Sequence, residues 1–301
     1  MSKVLNDAFR GDARRFFDKY SVAPPNAVRI FAPEKTGFVY SSVFGKGTDI
    51  KYGVKHASMK EGKGVYWLDF FSDPDLKIAG KTRLTFRTYK TNTEDALARA
   101  HFLPWRSSFI VEYKIPELAD KDTDETNPPY FFTSALSGCS VFARGSPESP
   151  TVSHGGRELP LPSETSWRAL LDLYLHGSVR RNQIFGVNKS RYMVHKAGKS
   201  WQTSDYKKTK STFTKKESWT VKRRSSWACV FGIRSDGRWS FFLQRNTLVA
   251  VFNVSRKKSW GKTTETETMD SASSYDVPEK VSRFFPAGPA VVNPKMEAEV
   301  S

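Results

Sequence analysis

A cysteine set behind a serine–glycine pair, with a histidine 15 residues further on, is the arrangement in this 301-residue chain whose types and spacing could do covalent chemistry. The segment reads Thr133-Ser134-Ala135-Leu136-Ser137-Gly138-Cys139-Ser140-Val141-Phe142-Ala143-Arg144, and after a short turn Val152-Ser153-His154-Gly155-Gly156. A thiol nucleophile needs a sharp backbone turn, so that its sulfur faces solvent and nearby N–H groups point at an incoming carbonyl. Ser137-Gly138 suits such a turn, because glycine accepts dihedrals that other residues refuse and lets a substrate approach the backbone. The thiol also needs a base, and histidine is the usual one. A strand over 139–144, a turn over 145–150 and a second strand over 151–153 would form a hairpin that returns the imidazole of His154 to the side of Cys139.

The competing reading is that a lone cysteine is most often a small buried hydrophobe. Cys229 fits that description, since it alternates with Trp227 and Phe231 in a strand-like run. The remaining titratable residues offer no pattern. Histidines at 56, 101, 154, 176 and 195 form no HExxH pair, and no Cys-x-x-Cys occurs, so neither zinc nor any other metal is expected. The chain also lacks a GxxxxGK[ST] loop and a Gly-x-Ser-x-Gly elbow. No cofactor is called for.

The elements that must hold the pair in place are mainly strands. Hydrophobic residues make up 38% of the chain and aromatic residues 14%, enough for a folded core. An opening helix is expected over 3–20, with Leu5, Phe9, Phe16 and Tyr20 on one side, ended by Ala23-Pro24-Pro25. Strands are expected over 63–71, 82–89 and 107–115, the last two alternating cleanly. An acidic, proline-bounded loop over 116–129 leads into Tyr130-Phe131-Phe132-Thr133. A helix is expected over 164–176, capped by Ser163 and ended by Gly177. A basic stretch over 196–216 reads as a long loop. Three strands follow over 227–233, 238–243 and 247–254, with Asp236-Gly237 turning between the first two. Residues 263–301, rich in Thr, Ser, Glu and Pro, read as a disordered tail, leaving one domain over 1–262. The fold class expected is α/β (α+β), a central β-sandwich of mixed or antiparallel sheets with flanking helices.

The net charge of +17 is concentrated. Residues 178–262 hold 21 Lys and Arg against 3 Asp and Glu, whereas the rest of the chain is close to neutral. Trp201, Tyr206, Phe213, Trp219, Trp227, Trp239 and Trp260 are interleaved with these cations. Cations for a backbone and rings for stacking suit a phosphate-bearing partner, nucleic acid or anionic lipid, or an acidic protein surface, and a non-enzymatic module that binds nucleic acid or anionic lipid through this face is the alternative to a thiol enzyme. A solvated basic face over core aromatics would look the same. Two cysteines make no disulfide framework, so a reducing compartment is the default. The N-terminus meets Asp7 before any apolar stretch forms, so no secretory signal peptide is expected.

Leu136-Ser137-Gly138-Cys139 resembles the Leu-Ser-Gly-Cys motif of the cytotoxic necrotizing factor family of bacterial toxin deamidases and of the related Burkholderia lethal factor. In that family the cysteine is catalytic and its histidine follows 12 to 15 residues on, often before a small residue and glycine. The matching positions are Cys139 and His154, with Gly155-Gly156 after the histidine and 140–144 as the strand after the cysteine. In the lethal factor and the chemoreceptor deamidases a threonine six positions before the cysteine completes the site, and Thr133 stands there. In the necrotizing factors a backbone carbonyl does this instead. The resemblance covers some 30 residues. It implies hydrolysis of a protein glutamine side chain to glutamate, with Ser137 and Gly138 shaping the oxyanion turn. The target it implies is a Rho-family GTPase or, alternatively, a translation-initiation RNA helicase. Transfer of the acyl group to an amine is a variant of the same chemistry. It also implies export without a signal peptide and action in the cytosol of a target cell, and a β-sandwich with flanking helices.

Overall fold

The computed structural model describes residues 2–25, 35–42, 51–59, 64–72, 83–89, 97–105, 109–156, 184–187, 189–193, 200–210 and 214–286. Two short helices open the chain, α1 (Ser2–Gly11) and α2 (Ala13–Lys19). The sequence predicts one helix here. Asp12 divides it, because its carboxylate accepts the Arg15 backbone N–H at 2.9 Å and caps α2 while its own backbone is extended.

Strands follow in the order β1 (Lys35–Ser42), β2 (Lys51–Ser58), β3 (Val65–Ser72), β4 (Leu84–Tyr89), β5 (Ala98–Leu103), β6 (Phe109–Lys114), β7 (Tyr130–Thr133), β8 (Ser140–Arg144), β9 (Thr151–Gly155) and β10 (Ile184–Val187). A single helical turn, α3 (Lys189–Tyr192), precedes β11 (Ser200–Lys210), β12 (Thr214–Ser235), β13 (Arg238–Ser259) and β14 (Lys262–Phe285). They form two sheets. The smaller runs β1-β2-β6-β9-β8-β10, antiparallel except for the β2–β6 pair. The larger runs β14-β13-β12-β7-β5-β3-β4, antiparallel except for the β5–β7 pair, with β11 added alongside β12.

One core lies between the sheets and the other beneath the helices. Val111, Tyr113, Val141, Ala143 and Val152 of the smaller sheet face Leu103, Phe131, Trp239 and Phe241 of the larger. On the other side of the larger sheet, Phe9, Phe16 and Phe17 pack against Phe70, Phe132 and Phe231, with Phe17 stacked on Phe231 at 3.7 Å. The mixed and antiparallel sheets match the expected sandwich. The described residues are nevertheless mostly strand, more β-rich than an α/β protein with flanking helices. The helix expected over 164–176 lies outside the described residues.

Three further expectations are corrected. The strands expected over 238–243 and 247–254 are parts of one strand, β13, paired along its whole length with β12. Part of the basic stretch expected as a loop is β11, paired with β12 on both sides of an irregularity between Thr203 and Lys207. The tail expected to be disordered begins with β14, whose ladder on β13 runs from Ser259↔Lys262 to Phe241↔Phe285. Backbone hydrogen bonds, with ion pairs from Arg256 to Glu265 and from Arg223 to Glu267, hold this strand where apolar burial does not, since residues 261–269 are all exposed. Its far end is anchored by Phe284 and Phe285 in the inter-sheet core, where Phe285 packs on Phe241 at 5.6 Å. Replacing Phe285 with Ala is expected to cost about 3–5 kcal/mol in urea denaturation. A change near zero would return the segment to the status of a tail.

Candidate active site

The crossing from one sheet to the other places Cys139. The chain leaves the larger sheet at Thr133, the end of β7, and enters the smaller one at Ser140, the start of β8. Between them Leu136 makes an isolated bridge to Ala228 of β12, with N–H···O distances of 2.7 and 2.9 Å. Gly138 then turns the backbone at φ +152°, a conformation other residues rarely adopt. The Tyr192 hydroxyl donates to the Cys139 carbonyl at 2.8 Å and fixes the segment from the side of α3. Cys139 lies against the inter-sheet core, 5% exposed, while Ser137 two residues earlier is exposed. The sequence expects a sulfur facing solvent. Instead the thiol sits just beneath the surface, because Leu136 and Val141 on either side are core residues.

His154 arrives by the expected hairpin. The β8–β9 ladder pairs Ser140 with Gly155 and Val141 with His154, and the β6–β9 ladder pairs His154 with Val111. The imidazole therefore occupies the middle of a valine row on the inner face. Cys139, one residue before the ladder begins, lies in the same inter-sheet core as Val141, the residue paired with His154. Behind the hairpin, on the outer face, Glu112 accepts from Ser153 Oγ at 2.8 Å and from Arg144 at 3.0 Å, tying β6, β9 and β8 together.

The ring of His154 is fully buried, and neither nitrogen has a hydrogen-bond partner among the described residues. Burial drives its pKa down from 6.5 to about 3, opposed by the nearby Leu103 carbonyl, which approaches without completing a hydrogen bond. The other described buried histidine shows the contrast. His101 has Tyr113 Oη at 2.9 Å from one nitrogen and Asn127 Oδ1 at 3.2 Å from the other. His101 is a satisfied structural histidine, and His154 is not. Ser134 Oγ and Ser140 Oγ, on either side of the crossing, are also buried without a partner among the described residues.

Thr133 is buried one strand away, paired in register with Leu103. Its hydroxyl donates to the Ser134 carbonyl at 3.0 Å, not to the imidazole. The backbone group next to His154 is the Leu103 carbonyl, which also accepts from Ser134 N–H at 3.2 Å. Cys139, His154, Leu103 and Tyr192 thus gather around one crossing, with Thr133 supporting it from behind. Sequence reading passed over Leu103, which contributes only its carbonyl, and Tyr192, hidden in the basic segment. Cys229 is fully buried in the core beneath the helices, and burial raises its thiol pKa well above the ordinary value, as its alternation with aromatic residues predicts.

An imidazole kept neutral by burial can take the proton of a thiol brought to it as the sulfur attacks a carbonyl. Neither a protein-family model nor a curated protein matches the chain.

Both buried histidines bear on acid stability. His101 and His154 have folded pKa values lowered to about 3, so between pH 6.5 and about 3 the unfolded chain binds protons that the folded chain excludes. Their contribution is complete above pH 6.5 and is lost as the pH falls through that window. The loss is at most about 1.4 kcal/mol per pH unit for each ring. His154→Asn is expected to flatten the decline of the urea midpoint between about pH 6.5 and 5. An unchanged slope would contradict a ring kept neutral by burial.

Proposed function

We propose that this chain is a thiol-dependent protein-glutamine deamidase with Cys139 as nucleophile and His154 as base and acid. The observation that carries the reading is a fully buried imidazole with both nitrogens unbonded among the described residues, paired with Val141 in the inter-sheet core that also holds a cysteine at a glycine turn. Such a ring costs stability and does nothing for packing that a valine would not do better.

In the reaction, a ring nitrogen of His154 takes the Cys139 proton as sulfur bonds to the side-chain carbonyl carbon of a glutamine. Backbone N–H groups of the Gly138 turn face the developing oxyanion, one such donor being worth about 10²–10³ in rate. The C–N bond breaks as His154 returns the proton to nitrogen, releasing ammonia and leaving a thioester. Water, deprotonated by His154, opens the thioester; the sulfur regains its proton and glutamate leaves. The long, narrow glutamine side chain suits a thiol set just below the surface. An imidazole already neutral is in the form a base requires.

The favoured target is a Rho-family GTPase, where the glutamine positions the hydrolytic water and its conversion would hold the switch on. The 15-residue interval and the Leu103 carbonyl beside the ring support this choice over an initiation helicase. Peptide mass mapping after incubation with each candidate is expected to show amide-to-acid conversion at one glutamine. Cys139→Ser should lower the rate by about 10⁴–10⁶-fold, while Cys229→Ser should leave it unchanged. Conversion that survives Cys139→Ser would refute the assignment.

One observation supports a second role, recruitment to an anionic membrane. The β13–β14 turn is Trp260-Gly261, with φ of +51° and +76°, and Trp260 is 89% exposed. A bulky residue at positive φ is unfavourable, and two-residue turns of this kind prefer Asn-Gly. Exposed Lys257, Lys258 and Lys262 flank the ring, and Lys215 and Lys216 pair with the first two. A ring at the tip of a basic ribbon fits the headgroup boundary of an acidic bilayer, with about 1 kcal/mol per lysine from surface charge. Sedimentation with phosphatidylserine vesicles is expected to fall steeply with salt and to weaken severalfold in Trp260→Ala. Retention equal to wild type at every salt concentration would remove this role.

A further inference from the structure

Beside the Cys139 segment lies a cavity of about 230 Å³ whose charged lining, among the described residues, consists of cations. Arg191, Arg245 and Lys280 surround it together with Ser282, over an apolar floor that includes Val187 and Phe284. Its position follows from two ladders. Leu136 bridges Ala228, Ala228 pairs with Arg245, and Arg245 pairs with Lys280, so these residues form one row across the larger sheet. At about 4.8 Å per strand, Arg245 lies about 10 Å from Leu136. From the other side, Val187 pairs with Val141, and Arg191 is next in chain to Tyr192, which holds the Cys139 carbonyl.

Among the described residues the charges in this cavity have no carboxylate partner. Arg245 and Lys280 stand directly opposite each other, an arrangement of like charges that weakens a ladder. Arg191 is half-buried, and burial alone lowers its pKa. Elsewhere on this chain arginines near the surface do find acids, as Arg223 finds Glu267 and Arg256 finds Glu265. Guanidinium groups facing a concave, partly dry space with a hydroxyl among them match an oxyanion, which each arginine can hold with two parallel hydrogen bonds.

We infer that this cavity is an anion site that receives a carboxylate side chain of the substrate protein, close in space to the glutamine presented to Cys139. A cavity of this size takes one acidic side chain. A protein carrying an aspartate or glutamate near its reactive glutamine would be anchored through charge at this site, which favours such glutamines over others. The partner named here rests on the deamidase reading; the anion site itself does not.

The test is calorimetric titration of the full chain with a blocked tetraglutamate peptide, a blocked tetralysine peptide and inorganic phosphate. Tetraglutamate is expected to bind and tetralysine not. The double variant Arg245→Gln/Lys280→Gln should weaken tetraglutamate by about 10–100-fold, the size of losing charge-assisted hydrogen bonds. Lys257→Gln/Lys258→Gln on the ribbon, which removes the same charge, should change it less than about threefold. Removing a like-charge pair should leave the melting temperature of the Arg245/Lys280 variant at or above that of wild type, which separates lost binding from lost folding. Equal affinity in wild type and the Arg245/Lys280 variant would overturn the site, as would equal losses in the two double variants. Phosphate binding without peptide binding would overturn the carboxylate assignment. Cys139→Ser should bind tetraglutamate as wild type does, so a chain that turns over no glutamine but passes these tests would lose the deamidase reading and keep the anion site.

Discussion

An imidazole in the middle of a valine row is the constraint around which the rest of this molecule is arranged. Unpaired polar atoms in a core cost about 1–3 kcal/mol each, and His154 has two among the described residues. Val111 and Val141 flank it in the sheet, and the larger sheet closes over it. Any shift of the β8–β9 register by one residue would move the ring to the outer face, beside Glu112 and Arg144, where it would find partners and lose Cys139. The outer-face bonds of Glu112 to Ser153 and Arg144 oppose that slip.

The same constraint explains why the crossing over 134–139 is fastened at several points. In the proposed reaction the thiol meets a fixed, buried base, which a loose connection would not allow. The Leu136–Ala228 bridge ties the segment to the larger sheet, β8 ties it to the smaller, and Tyr192 holds the carbonyl between them. Leu103 serves both sides, its carbonyl taking the Ser134 N–H and facing the His154 ring. Catalysis on this account belongs to the seam of the sandwich, and the long strands β12 to β14 extend from that seam to present charge.

The hairpin and the turn before Cys139 could be seen in the sequence because both depend on local signals: alternation in 140–144, a glycine and proline turn, and glycine before the cysteine. The depth of the thiol could not, since it depends on the larger sheet supplying Trp239 and Phe241 from the far part of the chain. The backbone group beside the His154 ring is the carbonyl at 103, which leaves no trace in side-chain types, and Thr133, the residue a motif would name, bonds to Ser134 instead. β14 was hidden for a different reason. Its Thr-Glu repeat has no apolar face because both faces are wet, and its order comes from the neighbouring strand. The division of the first helix was legible in Gly11-Asp12, a stop followed by a cap, and was outweighed by the apolar periodicity that runs through it.

The central claim is that the Cys139 sulfur is made nucleophilic by the His154 ring. Labelling with 6-diazo-5-oxo-norleucine, a glutamine analogue that alkylates a thiol at a glutamine site with loss of dinitrogen, tests it directly when the adduct is located by peptide sequencing in the mass spectrometer. The account predicts a single adduct on Cys139, none on Cys229, and loss of the Cys139 adduct in a folded His154→Ala chain. Labelling of Cys139 that proceeds equally fast without the imidazole, or labelling of neither cysteine, would contradict it.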